Sequence, residues 1–366
     1  MRRHIAILFT VIGLCALSQT GAAAPPPPRP PHGHPIRFPA DAGLHPGAHQ
    51  EWWYTVGHLV DKRGHTYGFE TTIAKIGGLT KLFPSTTEDL ALHTDVSVTD
   101  DAAHRFYQAL RFMAPGRDAL PAGSPLRARA VNATIAVVGA GGLQYRVTGS
   151  VPGARLALTL ASRRPPLLVG GGFFPWGDGY TYYYSLTDLQ TSGTLTIGRR
   201  QIPVHGIAWM DHQWGNWTGL GAAPPGVRHW EWMGMQLADG TDINLANVTT
   251  SAGMEGAASA LLPDNRQVNL RGGVTITDLG YWRSQATGTL YPSGWRVRIP
   301  RLRLDVTVTP TVRDQELVAE YPAFGYRLHY YEGRCTVSGM HAGRHVSGTT
   351  YTELIGYGAP APRPQI

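Results

Sequence analysis

Three short segments of the sequence combine acidic or imidazole side chains with tryptophan. They span residues 207–217, 49–54 and 229–232, and the first contains Asp211 and His212 between indoles. Aspartate and histidine are costly to bury without partners, so these segments are poor material for plain core strands. They suit an apolar site that handles a proton. The alternative is aromatic core packing with incidental polar neighbours.

Asp211 is the main candidate for a catalytic acid. In an apolar site lined by tryptophan its pKa would rise, which would keep the carboxyl group protonated near neutral pH. His212 could orient Asp211 or position a water molecule. Glu51 and Glu231 are alternative acids. Each residue also has a structural interpretation: a turn or cap for Asp211, a satisfied core imidazole for His212, and an arginine ion pair for Glu51.

The aromatic side chains near these acids could line a site for an apolar ligand. The negative face of an aromatic ring also suits a developing carbocation. The predicted substrate-binding residues are Trp52, Trp53, Tyr54, Tyr183, Trp209, Trp214, Trp230 and Trp232. They could equally be core walls. Successive strand residues face opposite ways, so Tyr183 should point away from Tyr182 and Tyr184, although the inward side is not determined by the sequence.

Several other chemistries have no support in the sequence. The histidines at 205, 212 and 229 lack the short spacing of a zinc site, and no cysteine accompanies them. No Gly-x-Ser-x-Gly segment is present, so a serine hydrolase of the α/β type is not supported. The glycines at 170–172 precede Phe173 and not a helix start, which argues against a phosphate-binding loop. We therefore predict no metal and no cofactor.

The composition indicates a globular protein rather than a nucleic-acid-binding one. The chain has 366 residues, 42% hydrophobic residues and a formal net charge of +7. Its arginines are spread along strands and do not cluster into a basic groove. Residues 1–24 resemble a cleavable signal peptide, with Arg2 and Arg3 before a short apolar run. This predicts a secreted or periplasmic protein. Only Cys335 then remains, so no intramolecular disulfide is expected.

The residues after the signal read almost entirely as β-strands. Polar and apolar residues alternate over 296–299 and again over 301–308, with the apolar parity changing at Pro300. A shift of one residue flips the face of a strand, so Pro300 should mark a bulge or a break to a new strand. Further predicted strands cover residues 92–98, 106–112, 133–138, 156–160, 195–202, 233–237, 268–276 and 327–331.

A faint internal repeat suggests two similar halves. Trp52, Leu59 and Asp61 recur as a tryptophan, a leucine and an aspartate displaced by 178 residues. We predict an all-β fold of two tandem β-barrel domains. The predicted organisation is a signal peptide (1–24), a Pro-rich extended linker outside the core (25–44), an N-terminal domain (45–220), a C-terminal domain (221–358) and a tail (359–366).

The motifs resemble those of a known family. The segments Glu51-Trp52-Trp53-Tyr54 with Gly57-His58-Leu59, residues 208–215, and residues 348–357 are similar to the opening, central and closing motifs of the carotenoid 1,2-hydratase and AttH-like family. The resemblance covers roughly residues 45–357. It implies two lipocalin-like β-barrels and, for some members, hydration of isoprenoid or polyene double bonds. Fold likeness alone does not settle the reaction.

These observations favour one function and leave others open. The first hypothesis is a secreted, cofactor-independent hydratase that protonates a C=C bond of an apolar isoprenoid or polyene, with Asp211 as the acid and His212 and Glu51 in support. The second is a lipocalin-like carrier that binds a lipid or pigment unchanged. A hydrolase is a weaker third. A small apolar ligand is expected, peripheral membrane contact is open, and the oligomeric state is undetermined. A buried Asp211 with a raised pKa would favour the enzyme, whereas an ion-paired, exposed Asp211 would favour the carrier.

Overall fold

The computed structural model describes residues 33–77, 90–113, 126–218, 226–251, 253–321 and 326–358. The predicted signal peptide, the first part of the predicted linker, the boundary segment at 219–225 and the tail lie outside these residues. Within the described part, the chain is almost entirely β-strand, and the all-β prediction is confirmed. None of its helices has the length and apolar character that a membrane span requires.

The first sheet is built from the strands that precede residue 219. Its strands are β1 (Gln50–Asp61), β2 (Thr66–Gly77), β3 (Leu90–Asp100), β4 (Arg105–Met113), β5 (Arg127–Arg129), β6 (Ala133–Val137), β7 (Gln144–Val151), β8 (Ala154–Ser162), β9 (Leu167–Trp176), β10 (Gly179–Ile197) and β11 (Arg200–Asn216). The order is β4-β3-β2-β1-β11-β10-β8-β7-β6-β5, and β9 pairs with β10. The first and last strands in sequence therefore meet in the middle of the sheet.

The second sheet has the same plan. Its strands are β12 (Val227–Leu237), β13 (Asp242–Thr250), β14 (Gly253–Leu261), β15 (Gln267–Arg271), β16 (Thr275–Asp278), β19 (Trp295–Ile299), β20 (Leu304–Pro310), β21 (Glu316–Tyr321), β22 (Tyr326–His341) and β23 (Arg344–Ile355), while β17 (Tyr281–Arg283) pairs with β18 (Leu290–Pro292). The order is β15-β14-β13-β12-β23-β22-β20-β19-β16, with β21 beside β22.

Each sheet curls around its own apolar core, as in lipocalin-like barrels. Strand β8 shows why: its residues alternate between buried and exposed from Ala154 onward, so one face is apolar. The first core includes Trp53 and Phe69 from the neighbouring strands β1 and β2, together with Tyr145 from β7, which lies far from them in the sheet order. Burial of such large apolar side chains is the main favourable contribution to folding.

The second core tests the strand predictions around proline and glycine. A short 3-10 helix, Pro300–Leu302, separates β19 from β20, so the predicted break at Pro300 is confirmed. Two other predicted strands were too long. Residues 195–202 contain a turn at Gly198, and residues 268–276 are divided at Gly272 and Gly273, because all three glycines adopt positive φ angles that end a strand.

The internal repeat has a structural counterpart. Trp52 lies on β1 and Trp230 lies on β12, and both strands occupy the centre of their sheets. Strand β1 lies between β2 and β11, and β12 lies between β13 and β23. The aspartates at the ends of the repeat also act alike. Asp61 accepts the Arg63 N–H at 2.8 Å, and Asp239 accepts the Thr241 N–H at 3.0 Å, so each stabilises the turn after its strand.

The outer faces of the two sheets meet in a buried layer, which we call the inter-sheet seam. Its apolar cluster consists of Tyr54, Val56, Trp209, Trp232 and Tyr351. Polar contacts also cross it: the Gln236 amide donates to the Thr187 carbonyl at 2.6 Å, and the Thr99 hydroxyl donates to Gln315 at 2.8 Å. The seam is therefore a second interior, distinct from the two cores.

The described part of the predicted linker does not lie outside the core. Ala42 is 1% exposed within the first core, and Phe38 packs against the Tyr184 ring at 4.9 Å. A short 3-10 helix, Ala40–Ala42, places Asp41 where it accepts the Arg37 N–H at 2.6 Å. The apolar residues that alternate with proline here give the segment enough contact area to pack against the barrel.

Replacement of Trp295 by alanine tests the second core. The side chain is fully buried, so Trp295→Ala should lower the free energy of unfolding by about 3–5 kcal/mol. Leu279 is 56% exposed, and Leu279→Ala should change it by less than about 0.5 kcal/mol. Denaturant unfolding would measure both, monitored by the backbone circular dichroism signal because tryptophan fluorescence would change with the substitution itself. Equal losses in the two variants would contradict the assignment of this core.

Candidate active site

Strand alternation sends the residues of the central motif to two different places. On β11, Met210 and Trp214 lie in the first core, and His212 shares their face. Trp209 belongs to the seam cluster, and Asp211 lies on the same face as Trp209. Side chains two residues apart share a face and adjacent ones oppose, so Asp211 and His212 point in opposite directions.

The opening motif divides in the same way. Trp53 is in the first core and Glu51 faces the same side, whereas Trp52 and Tyr54 pack in or against the seam cluster. In the tyrosine run, Tyr183 turns toward the seam, while its neighbours on either side, Tyr182 and Tyr184, lie in the first core. The inward side that the sequence left open is therefore the side of Tyr182 and Tyr184.

Asp211 sits in a buried cage of hydrogen-bond donors. Its Oδ1 accepts from the Ser185 hydroxyl at 2.6 Å and from the Trp209 indole N–H at 2.6 Å. Its Oδ2 accepts from the Tyr183 hydroxyl. The Asn244 amide of the second sheet donates to the Tyr183 oxygen at 2.8 Å. Both sheets therefore hold this carboxyl group in place.

The environment of Asp211 brings the pKa of its carboxyl group close to neutral pH. Burial raises the pKa of Asp211 to about 7, against the lowering effect of the hydrogen bonds from Ser185, Tyr183 and Trp209. The residue is 3% exposed, and among the described residues no lysine, arginine or histidine forms an ion pair with it. A carboxyl group with this pKa can donate or accept a proton near neutral pH.

The aromatic side chains of all three motifs gather beside Asp211. The Trp209 and Trp232 rings are 6.1 Å apart, and the Tyr54 ring lies 5.2 Å from Trp232. Trp52 and Trp230 are partly buried and pack against this cluster from its more exposed side. The six predicted ligand-binding aromatics that reach the seam are Trp52, Tyr54, Tyr183, Trp209, Trp230 and Trp232. The other two, Trp53 and Trp214, belong to the first core.

Glu51 and His212 form a separate polar site inside the first barrel. Glu51 Oε1 lies 3.0 Å from His212 Nε2 and 2.8 Å from His45 Nδ1, and the Lys75 ammonium group is 3.3 Å from Oε2. Burial alone would raise the pKa of Glu51, but hydrogen bonds from His212 and His45 lower it to about 2. Burial lowers the pKa of His212 to about 4. The pair is thus a carboxylate and a neutral imidazole, with the His212 Nδ1 3.1 Å from the Tyr184 hydroxyl.

The predicted cooperation between His212 and Asp211 is not found. The two side chains lie on opposite faces of β11, and Glu51 is on the side of His212. The expected support of Asp211 by His212 and Glu51 therefore needs correction. Strand alternation separates adjacent residues, and the residues that do orient Asp211 are Ser185, Tyr183 and Trp209.

His45, Glu51 and His212 are also the one group in the described residues whose ligand atoms, within 4.8 Å of one another, could hold a metal ion. Two imidazoles and a carboxylate are suitable zinc ligands. However, Glu51 also accepts the His45 backbone N–H, at 3.0 Å from each oxygen, and pairs with Lys75. The ammonium charge and the occupied lone pairs oppose a cation. The arrangement therefore anchors the segment before β1.

Glu231 lies neither beside Asp211 in the seam nor in the polar site inside the first barrel. It shares a face of β12 with Met233 and Met235 of the second core. Its carboxyl group accepts from the Asn247 amide at 3.2 Å and from the Tyr357 hydroxyl at 3.1 Å. Burial raises the pKa of Glu231. This candidate acid is therefore chemically similar to Asp211 but is placed apart from it.

Sequence reasoning missed three carboxyl groups that reach the seam. Glu70 comes from β2, Glu332 from β22 and Glu353 from β23; Glu70 and Glu332 are fully buried, and Glu353 is partly buried. The Tyr54 hydroxyl donates to Glu332 Oε2 at 2.9 Å, and the Trp230 indole donates to Glu353. Glu353 lies in the closing motif, which was the available signal. Glu70 and Glu332 belong to none of the three motifs, so no comparable signal pointed to them.

Comparisons with known proteins agree with this architecture. Residues 29–357 match the family model described as AttH-like. A solved structure of a Nitrosomonas europaea protein assigned to AttH superposes with a TM-score of 0.77 and 25% identity, covering 92% of this chain and 100% of that one. Kievitone hydratase from Nectria haematococca superposes with a TM-score of 0.70 and 17% identity, covering 87% and 92% of the two chains, which shows the shared fold.

One curated relative with a named activity also matches. The dehydratase asqC of Emericella nidulans is 27% identical over 226 residues, which is 57% of this chain. The match spans 60% of the length of that enzyme.

The ionisation of Asp211 should be visible in stability. Because its folded pKa is about 7 and its usual value is 3.8, the unfolded state ionises first, and stability falls as pH rises between these values. Asp211→Asn removes this loss. Its stability relative to the wild type should therefore be greater at about pH 8 than at about pH 4, by on the order of 4 kcal/mol. Denaturant unfolding at both pH values measures this, and a pH-independent difference would refute the raised pKa.

Glu51 should control the segment before β1. Glu51→Gln removes the charge that accepts the His45 backbone N–H, and a hydrogen bond to a charged group contributes about 1.5–3 kcal/mol. Hydrogen exchange at the His45 amide should therefore accelerate by about 10- to 100-fold. The His65 amide, which donates to Asp61 at 3.0 Å, is the internal control and should be unchanged. Equal protection of His45 in both proteins would show that Glu51 is not the anchor.

Proposed function

The chain belongs to the AttH-like family, and on this basis we propose that it is a hydro-lyase-type enzyme that adds water to, or removes it from, an apolar substrate at the inter-sheet seam. The observation that carries the proposal is Asp211: a buried carboxyl group, caged by three donors, without a cationic partner and with a pKa of about 7. The dehydratase among its relatives is consistent with this reaction class.

Asp211 would act as the acid in hydration. It would donate its proton to the less substituted carbon of a C=C bond, and a carbocation would form on the other carbon. The rings of Tyr54, Trp209 and Trp232 are suited to stabilise that charge, since an aromatic face carries negative potential. A water molecule then attacks the cation. In the dehydration direction the Asp211 carboxylate takes the proton back from carbon.

An apolar isoprenoid or polyene is the proposed substrate class. Protonation of an isolated alkene needs a substituted carbon that bears the charge, and such substrates offer few groups for hydrogen bonding. The seam cluster supplies mainly aromatic surface, which suits that ligand. The chemistry of these residues requires no cofactor.

The carrier alternative uses the same aromatic surface without proton transfer. An exposed, ion-paired Asp211 would favour it, whereas burial without a cation favours the enzyme. We further propose that the protein is exported by residues 1–24, and N-terminal sequencing of the protein recovered outside the cytoplasm would test this. The sequence has no Gly-x-Ser-x-Gly segment, so a serine-hydrolase motif does not support the hydrolase alternative.

Turnover of a substrate panel tests the proposal. The purified protein would be incubated with acyclic carotenoids, polyprenyl lipids and the corresponding tertiary alcohols, and mass spectrometry would detect gain or loss of one water. Asp211→Asn should lower the rate by roughly 10²–10⁴-fold, because a general acid contributes about that much.

Glu231→Gln is the matched control for this experiment. It also removes a buried carboxyl group with a raised pKa, but one that faces the second core, so its rate should stay close to that of the wild type. Loss of turnover in Glu231→Gln alone would move the site to the second barrel. Retention of unchanged ligand by both the wild type and Asp211→Asn would reject the enzyme and favour the carrier.

A further inference from the structure

Three further carboxyl groups reach the seam: Glu70 and Glu332 are buried, and Glu353 is partly buried. Glu70 comes from the first sheet, and Glu332 and Glu353 are register partners on β22 and β23 of the second. Among the described residues no lysine or arginine forms an ion pair with any of the three, and the Arg334 guanidinium pairs with Asp101 instead. Buried acids without cations are costly, so this cluster is not a stabilising ion-pair network.

Two polar atoms here have no hydrogen-bond partner within the described residues, Glu332 Oε1 and the Tyr351 hydroxyl. Glu70 accepts from the Thr72 and Ser97 hydroxyls at 3.2 and 3.3 Å. The Tyr351 side chain is fully buried in the seam, yet its hydroxyl has no hydrogen-bond partner within the described residues. The charges of Glu70 and Glu332 act on this hydroxyl, which places it beside the cluster. A buried hydroxyl without a partner is unusual, and a polar ligand atom or a water molecule would supply one.

The repeat connects this cluster with Asp211. On the first sheet Tyr54 is the register partner of Asp211, and on the second Trp232 is the register partner of Glu353. Tyr54 and Trp232 are separated by the 178 residues of the repeat. Asp211 and Glu353 therefore occupy equivalent positions, and each reaches the seam beside the same aromatic cluster. Each also accepts a hydrogen bond from an indole, that of Trp209 or Trp230.

The environment of the cluster favours the protonated form of its carboxyl groups. Burial, together with the charges of Glu70 and Glu353, raises the pKa of Glu332 well above its usual value. Burial also raises the pKa of Glu353, although its hydrogen bonds with Trp230 and Glu332 act in the opposite direction. Asp95 and His93 on β3 also act on Glu353, and the charge of Glu353 in turn helps to raise the pKa of Asp211. Closely placed carboxyl groups cannot all ionise, so one retains a proton that its neighbour can accept.

We propose that Glu332 and Glu353 form a second proton-transfer site, which exchanges a proton with the water that is added or removed, while Asp211 exchanges a proton with carbon. This inference rests on the proposed function. It assigns the two halves of the reaction to the two sheets: carbon faces the acid of the first sheet, and oxygen faces the carboxyl pair of the second.

The proton balance of this scheme closes. In hydration Asp211 gives a proton to carbon, the π bond becomes a C–H bond, and the cation accepts the oxygen of water. The Glu332–Glu353 pair then takes one proton from the bound water, which leaves the alcohol. The net change is one alkene and one water converted to one alcohol. The resting enzyme returns when one proton passes from the pair to Asp211 through solvent. Dehydration is the reverse.

Deuterium exchange separates the two sites. In deuterated water the alkene takes up deuterium when Asp211 delivers a deuteron to carbon and the cation then loses one of its original protons, whether or not water is added. Glu332→Gln and Glu353→Gln should each lower net hydration by at least about 100-fold while alkene exchange stays within about threefold of the wild type. Asp211→Asn should lose both. Glu231→Gln, which faces the second core, should keep both.

A measurement without substrate tests the shared proton itself. Infrared spectra of the free protein at neutral pH should contain a protonated carboxyl band that disappears in Glu332→Gln and remains in Asp211→Asn, with circular dichroism confirming the fold of each variant. A band unchanged in both Glu332→Gln and Glu353→Gln would overturn the proposal, as would parallel loss of exchange and hydration in those variants. A wild type that neither hydrates nor exchanges any substrate would instead reject the proposed function, and this assignment with it.

Discussion

The candidate site depends on the removal of one carboxyl group from water. The pKa of Asp211 is raised to about 7 because desolvation disfavours the charged form more than three hydrogen bonds favour it. Those donors all come from the first sheet, Trp209 from the strand of Asp211 and Ser185 and Tyr183 from β10, while Asn244 of the second sheet holds the Tyr183 hydroxyl. Neither barrel alone would exclude water from this carboxyl group, so its acidity is a property of the packed pair.

Glu51 shows how strongly the environment decides the state of a buried acid. It is as buried as Asp211, and its register partner on β11 is Trp214, three residues from Asp211. However, hydrogen bonds from His212 and His45, with the Lys75 charge, stabilise its ionised form, so its pKa is about 2. Strand alternation thus places two carboxyl groups of neighbouring strands on opposite faces, where their environments move their pKa values in opposite directions. One anchors the chain, and the other is available for proton transfer.

The fold was largely predictable because its signals are local. Alternation and the parity change at Pro300 depend on residues close together in sequence, and the repeat of Trp52 as Trp230 can be read by comparing one half of the sequence with the other. The site was only partly predictable. The period of two could have separated Asp211 from His212, but it does not show which face becomes a core and which a seam. Glu70 and Glu332 lie outside the three motifs that combine acids with tryptophan, and only the packing of the two sheets makes them neighbours.

The repeat also explains why Asp211 and Glu353, which occupy equivalent positions, are not interchangeable. Asp211 has Ser185 as its register partner, whereas Glu353 has Glu332 at the equivalent position. A hydroxyl beside a carboxyl group donates a hydrogen bond and leaves a single titrating site. A second carboxyl group couples the two titrations, so that one proton is held by the pair and can move between its members. The two halves thus share a β architecture but differ in the register partner of the acid, which is Ser185 in the first half and Glu332 in the second. In the proposed scheme, the first sheet provides a proton donor for carbon and the second sheet provides a proton-sharing pair for oxygen.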